Sequence, residues 1–381
     1  SLVGSEMCIR DSLYPEGIPI HSEEELEILI RDEQIDQVVF AYSDVSHEYV
    51  MHIASRVLAN GADYRLMGTA STQIPSNKPV ISICAARTGS GKSQTSRYVA
   101  DKLISMGLRV AAIRHPMPYG DLEKQAVQRF SKLEDLDLHE CTIEEREEYE
   151  PHISRGIIVY SGVDYAKILE QAEKDADVIL WDGGNNDLSF YKSDLHIVVV
   201  DPLRPGHETA YHPGEANVIA ADVIVINKVD TADPGSVKQV RENVTALNPT
   251  AQIIEASSPI SVDNPEEIRG ASVLVVEDGP TLTHGEMAYG AGWVAANRFE
   301  AGKIIDPRPF AVGSIKSVYE KYPTTGDVLP AMGYGDEQMM ELEQTINAVT
   351  ADLVLIGTPI DLGKLLNLSL IHISEPTRLK T

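Results

Sequence analysis

The sequence predicts an α/β protein: a doubly wound, mostly parallel P-loop domain preceded by a partial Rossmann-like domain. Two observations carry the prediction. Continuous apolar segments recur between helical patterns from residue 80 onward, and the first of them runs directly into a glycine-rich loop that ends in Lys-Ser. The segments are VISICAA (80–86), RVAAIR (109–114), ADVILWD (176–182), LHIVVVD (195–201), DVIVINK (222–228), SVLVVE (272–277) and ADLVLIG (351–357). Apolar runs without alternation belong to strands buried on both faces. Helices between such strands give a parallel sheet whose ligands sit at the carboxyl ends of the strands.

Upstream of that sheet the pattern is shorter. A helix is expected from Ser22, with Ser22-x-x-Glu25 as a capping box, then a strand QVVFA (37–41), a helix over 45–58 and a strand over 63–67. The opening strand and glycine turn of a Rossmann-like domain do not precede these elements, which predicts that the chain starts part-way into that domain. A polar stretch, STQIPSNKP (71–79), reads as a linker. The expected organisation is therefore 13–70 partial Rossmann-like domain, 71–79 linker and 80–367 P-loop domain.

Both ends read as foreign to this pattern. Residues 2–12 (LVGSEMCIRDS) and 368–378 (LSLIHISEPTR) can be encoded by one DNA segment read in opposite orientations, which looks like a sequencing-library transposase adaptor. Residues 1–12 and 368–381 are accordingly read as non-native tails and left out of fold reasoning.

Composition narrows the function classes. Of 381 residues, 43% are hydrophobic and 24% charged, as in an ordinary globular chain. No run approaches the ~18 apolar residues that a membrane-spanning helix needs, and no signal-peptide pattern opens the chain. Of the three cysteines, Cys8 lies in the adaptor-like tail, and Cys84 with Cys141 makes neither a disulfide framework nor a metal spacing. A cytoplasmic protein without a membrane partner is the expectation. A net charge of -26 repels a phosphate backbone, so nucleic acid is not an expected partner. The acidic run EEREEYE (144–150) reads as a solvated helix face.

The chemistry gathers at strand ends. Ala86-Arg87-Thr88-Gly89-Ser90-Gly91-Lys92-Ser93 matches the Walker A pattern with Ala in place of the first Gly, and it sits between a strand and a helix expected over 92–106. Such a loop aims backbone N–H groups and a helix N-terminus at phosphates, with Lys92 on the β/γ oxygens and Ser93 on Mg²⁺. The nucleotide set is completed by Gln94. Asp182 ends a strand of Walker B character and is the expected second Mg²⁺ contact. The loop after it, Gly183 to Asp187, contains Asn185 and Asn186. Asn227-Lys228-Val229-Asp230 has the spacing with which GTPases read guanine, so the nucleotide is ATP or GTP. Loops carrying Arg114 and His115, Arg204 and His207, Tyr211 to Glu215, and His284 bring cations to other strand ends. Together with Arg87 they suit a phosphorylated small-molecule substrate.

With these motifs in view, the stretch from about Tyr14 to Leu366 resembles the cyclic 2,3-diphosphoglycerate synthetase family. The resemblance rests on AYSDVSHEYVMHIASRVLANGAD, RTGSGKSQTSR, IRHPMPYGDLE, EREEYEPHI, WDGGNND, NKVDTADP, VEDGPTLTHGEMAYGAG, DPRPF and LPAMGYG. It implies an NTP-dependent ligase in which the γ-phosphoryl group activates one phosphate of 2,3-diphosphoglycerate and the other closes a cyclic anhydride. Lys92, Asp182, Arg114, His115, Arg204 and His207 would be the catalytic set, and Arg87, Arg114, His115, Arg204, His207 and His284 would hold the substrate. The family pattern uses ATP where NKVD suggests GTP. The rival reading is a GTPase switch or metallochaperone-type GTPase acting on a protein partner, although no His-rich or Cys-x-x-Cys tract supports metal carriage. Either reading admits a homodimer.

Overall fold

The computed structural model describes residues 19–116, 125–184, 187–262, 264–283, 285–331, 336–358, 362, 366–368 and 373–374. Their contacts divide the chain into two compact units. The first holds the N-terminal segment and the P-loop strands; the second holds 140–150, 227–234 and the chain from 255 on.

In the first unit, strands β1 (Gln37–Phe40) and β3 (Asp63–Leu66) pair in parallel. The helices Leu26–Asp32 and His47–Ala59 bury Ile30, Val50, Ile53 and Val57 against Phe40. Both helix starts differ from the expected ones, for local reasons. Ser22 Oγ accepts from Glu24 N, but the Glu25 carboxylate turns to His21, so the capping box does not close; a short 3₁₀ turn over Glu23–Glu25 comes before the helix. The second helix starts at His47 because Val45–Ser46 is drawn into a strand, β2, and Ser46 Oγ then caps Tyr49 N.

Eight strands form the main sheet: β4 (Val80–Ala85), β5 (Val110–Ile113), β6 (Gln128–Phe130), β7 (Ile158–Ser161), β8 (Val178–Trp181), β9 (Leu195–Val200), β11 (Val223–Ile226) and β12 (Gln252–Glu255). Their order is β12-β11-β9-β4-β8-β5-β7-β6, with β6 antiparallel to β7 and the pairs from β11 to β7 parallel. The expected doubly wound parallel fold is observed. Strand β4 lies between β8 and β9, so the chain crosses over β4 between two consecutive strands, and the winding reverses there. That reversal leaves a crevice outside the carboxyl ends of β4, β8 and β9. A two-residue strand, β10 (Tyr211–His212), pairs antiparallel with β2. The stretch read as a linker is fixed to this unit: Ile74 bridges to Tyr191, and Ser76 and Asn77 donate to Glu173.

The second unit has its own parallel sheet, β14-β13-β16-β17 with β15 beside β13, where β13 is Ser272–Asp278, β14 Lys303–Ile304, β15 Leu329–Ala331, β16 Leu353–Gly357 and β17 Ile373–Ser374. Side chains alternate between two cores. Val273 and Val275 face Ala295 and Ala296, and Leu274 and Val276 face Ile315, Leu342 and Ile346. Strand β17 lies within the tail read as adaptor-like.

The helix Ile143–Ile153 modifies the reading of the acidic run as a wholly solvated face. Glu145 and Tyr149 are buried; Glu145 accepts from both Thr142 N and Thr142 Oγ1 as the closing half of a capping box, and burial pushes its carboxyl up.

Candidate nucleotide-binding site

The loop between β4 and the helix Lys92–Ser105 is shaped by its glycines. Gly89 and Gly91 have φ of 79° and 107°, the left-handed region where a side chain is strained, and the Gly91 conformation turns the chain into the helix. Behind the loop, a Cβ on Gly214 would stand 2.3 Å from the Ala86 carbonyl oxygen, so only glycine allows the segment after β10 to approach so closely.

At the centre is Asp182, just past the end of β8 and fully buried. Lys92 Nζ donates to its Oδ1 at 2.8 Å; Arg114 Nη1 at 2.7 Å and His152 Nε2 at 3.1 Å donate to its Oδ2. Burial by itself would push this carboxyl up. The charges of Arg114 and Lys92 outweigh it and hold the group well below the ordinary carboxylate value, so it is an anion at neutral pH. Lys92, Asp182 and Arg114, three residues singled out from sequence, are thus in direct contact. His152 completes the cluster and was not singled out. It falls within EREEYEPHI, at the end of an acidic helix, where no motif spacing marks it as a site residue.

Of the other cations expected to hold substrate, Arg87, Arg204 and His115 each meet a carboxylate. Arg87 Nε lies 2.8 Å from Asp44 Oδ1, its guanidinium covers the Tyr211 ring at 3.5 Å, and its Nη1 donates to His207 Nδ1. The same Asp44 accepts from Thr88 N of the loop. Arg204 donates to Asp201 Oδ2, to the Thr88 carbonyl at 2.7 Å and, at 3.5 Å, to Ser90 Oγ, so it braces the loop from behind. His115 pairs with Asp187 and lies 2.9 Å from the Tyr165 hydroxyl, its ring edge-on to Trp181 and Phe190. Gly184 fits because a Cβ there would meet the His115 ring at 2.9 Å. Beneath the loop the Cys84 thiol donates to the Asp187 carbonyl, and burial pushes it up to about 12, which leaves it inert at neutral pH.

The guanine-reading candidates belong to the second unit. Asn227 and Lys228 are buried, Lys228 with φ of 58°, and the exposed Asp230 accepts from Ser258 N with one oxygen. His284, Asn185, Asn186 and residues 117–121 lie outside the described residues.

Because Arg204 binds the loop carbonyl and hydroxyl, Arg204→Ala is expected to lower stability by about 3–5 kcal/mol, as for a buried pair broken from one side, and to weaken nucleotide binding along with it. Urea denaturation and calorimetric titration with nucleotide check both. A raised substrate KM with unaltered nucleotide affinity would instead assign Arg204 to the substrate.

A strand, a glycine-rich loop and a helix carrying Lys92 against a strand-end carboxylate, at the reversal point of a parallel sheet, define a P-loop nucleotide-binding protein. Residues 169–255 match the CobW/HypB/UreG nucleotide-binding domain. The chain is 64% identical over 361 residues, 95% of this chain and 81% of the relative, to a protein of Thermococcus kodakarensis named arginine synthetase ArcE, and it belongs to that protein's family. Among solved structures it is similar to LpxK of Aquifex aeolicus in complex with ATP (13% identity, TM-score 0.45, 87% of this chain and 89% of that one). It is also similar to the hydrogenase maturation factor HypB of Archaeoglobus fulgidus (17% identity, TM-score 0.27, 55% and 88%).

Proposed function

We propose that this chain is an NTP-dependent synthetase that forms the guanidinium group of arginine. The reading takes its product from the name of the relative, and the charge balance of the site supports it. Each fixed cation of the site already touches a carboxylate: Arg87 meets Asp44, Lys92 and Arg114 share Asp182, and Arg204 meets Asp201, while Asp187 lies on His115. A second polyanion such as 2,3-diphosphoglycerate needs cations beyond those that already serve a carboxylate. A zwitterionic amino acid with an uncharged ureido end does not.

A guanidinium can be built from a ureido group by phosphoryl activation, the chemistry that a phosphate-binding loop serves. The ureido oxygen of citrulline attacks the γ-phosphorus, the bond to the β-phosphate breaks, and the nucleoside diphosphate leaves. Ammonia then adds to the activated carbon, the C–O bond breaks with release of phosphate, and the product keeps the proton as a guanidinium. Little covalent chemistry is asked of the protein; positioning and charge compensation supply most of the catalysis. Lys92 would move from Asp182 to the β/γ oxygens. Mg²⁺ fits the donor set: the Asp182 carboxylate, an anion held beside Lys92 of the phosphate loop, and the hydroxyl of Ser93 are the one or two protein oxygens that an ion bound mainly through phosphates takes. Asp182 and Ser93 would hold it, and it would neutralise charge on the transferred phosphate.

The test is incubation with ATP or GTP, Mg²⁺, ¹⁵N-ammonium and citrulline, with arginine and nucleoside diphosphate followed by mass spectrometry. Labelled arginine in step with diphosphate is the expected result. A cyclic anhydride from 2,3-diphosphoglycerate, seen by phosphorus NMR in a parallel reaction without arginine, would restore the reading drawn from the motifs. Hydrolysis that yields neither product would favour the GTPase switch. The base is a separate matter. Asp230→Asn is expected to weaken GTP binding more than about tenfold and leave ATP unaltered, since an amide presents donors where guanine also donates. An equal change for both would reduce Asp230 to the turn it makes with Ser258.

A further inference from the structure

The two oxygens of Asp182 are held differently. Oδ1 meets only a lysine tip, Lys92 Nζ, among the contacts described above, and that lysine is the group a triphosphate draws away. Oδ2 meets Arg114 and His152, which are 2% and 1% exposed. His152 lies one residue after Pro151 in the helix Ile143–Ile153. Its Nε2 contacts Asp182, and its Nδ1, also buried, has no hydrogen-bond partner among the described residues. A buried polar atom left unpaired is costly. An apolar side chain of the same volume would fill the space without that cost, so packing alone does not account for an imidazole here. What it adds is one N–H directed at one carboxylate oxygen, without the second fixed charge that an arginine or lysine would bring beside Arg114.

We infer that His152 is a positioning residue: with Arg114 it pins Oδ2 of Asp182, so that the carboxylate keeps its orientation and presents Oδ1 to the nucleotide-bound cation once Lys92 moves onto the phosphates. The inference rests on the reading that Asp182 faces that cation. It does not depend on which product the enzyme makes. Groups that orient a metal-binding carboxylate through its other oxygen are worth about tenfold to a hundredfold in metal affinity.

The test compares His152→Phe, which keeps a ring and loses the donor, with His152→Gln, whose amide reaches as far as Nε2 and keeps one. The readouts are the Mn²⁺ dissociation constant in the presence of a non-hydrolysable triphosphate, by electron paramagnetic resonance, and nucleotide affinity in EDTA. His152→Phe is expected to weaken Mn²⁺ by about tenfold or more with metal-free nucleotide affinity within about twofold of the parent, and His152→Gln to recover most of the loss. Should the phenylalanine variant not fold, His152→Asn replaces it, because its shorter amide does not span to Oδ2, and it must show the same weakening. An unaltered Mn²⁺ constant in a folded donor-less variant, or no recovery by Gln, overturns the inference and leaves His152 a packing residue. Asp182→Asn separates the two levels: if it too leaves the Mn²⁺ constant unaltered, the reading of Asp182 as the cation's ligand fails first.

Discussion

Lys92→Ala is expected to abolish nucleotide turnover and to weaken triphosphate binding by about one to two decades. A charge-assisted contact is worth about 1.5–3 kcal/mol, and each 1.4 kcal/mol is about tenfold in affinity. The effect on turnover is larger than on binding because charge on the transferred phosphoryl group is compensated most in the transition state. The fold should survive, since Asp182 keeps Arg114 and His152 on its other oxygen. Calorimetric titration and a denaturation midpoint measure the two effects separately. Unchanged affinity in a folded variant would remove the P-loop assignment.

Asp182→Ala is expected to lower stability by about 3–5 kcal/mol, because it takes a fully buried carboxylate from between two cations. That is a large share of the ~5–15 kcal/mol by which domains are ordinarily stable. Asp182→Asn keeps the volume and should fold with less loss, yet without turnover. The pH dependence has a definite sign. The folded-state pKa lies well below the ordinary 3.8, so the stability from this group is fully present above that value and is lost as pH falls below it towards the depressed folded pKa. Urea denaturation at neutral pH and near pH 3 should show the acid loss in the parent and a smaller one in Asp182→Asn. Equal acid sensitivity would assign the effect to other carboxylates.

Much of the fold was readable before the structure because its signals are local. The continuous apolar strands, the spacing of Gly89, Gly91, Lys92 and Ser93, and the strand-end position of Asp182 are all short-range patterns with one dominant physical reading. The differences lay where a distant group intervened. Val45 and Ser46 carry a helix-like pattern, yet pairing with Tyr211 and His212 makes them a strand. Glu145 lies in a run of charges, yet it is buried and accepts from Thr142. Arg87, Arg114 and Arg204 read as a store of positive charge for a second anion, because sequence displays cations and not the carboxylates that fold against them.

By itself, then, the sequence determined the sheet, the glycine-rich loop and the place of Lys92 at its end, since each depends on spacing along the chain that any local window preserves. Tertiary structure decided which charges are already matched. Asp44 reaches Arg87 across 43 positions, and His152 and Lys92 approach Asp182 from 30 and 90 positions away in the chain. Charge balance in a buried site depends on through-space distance and burial, and chain order carries neither.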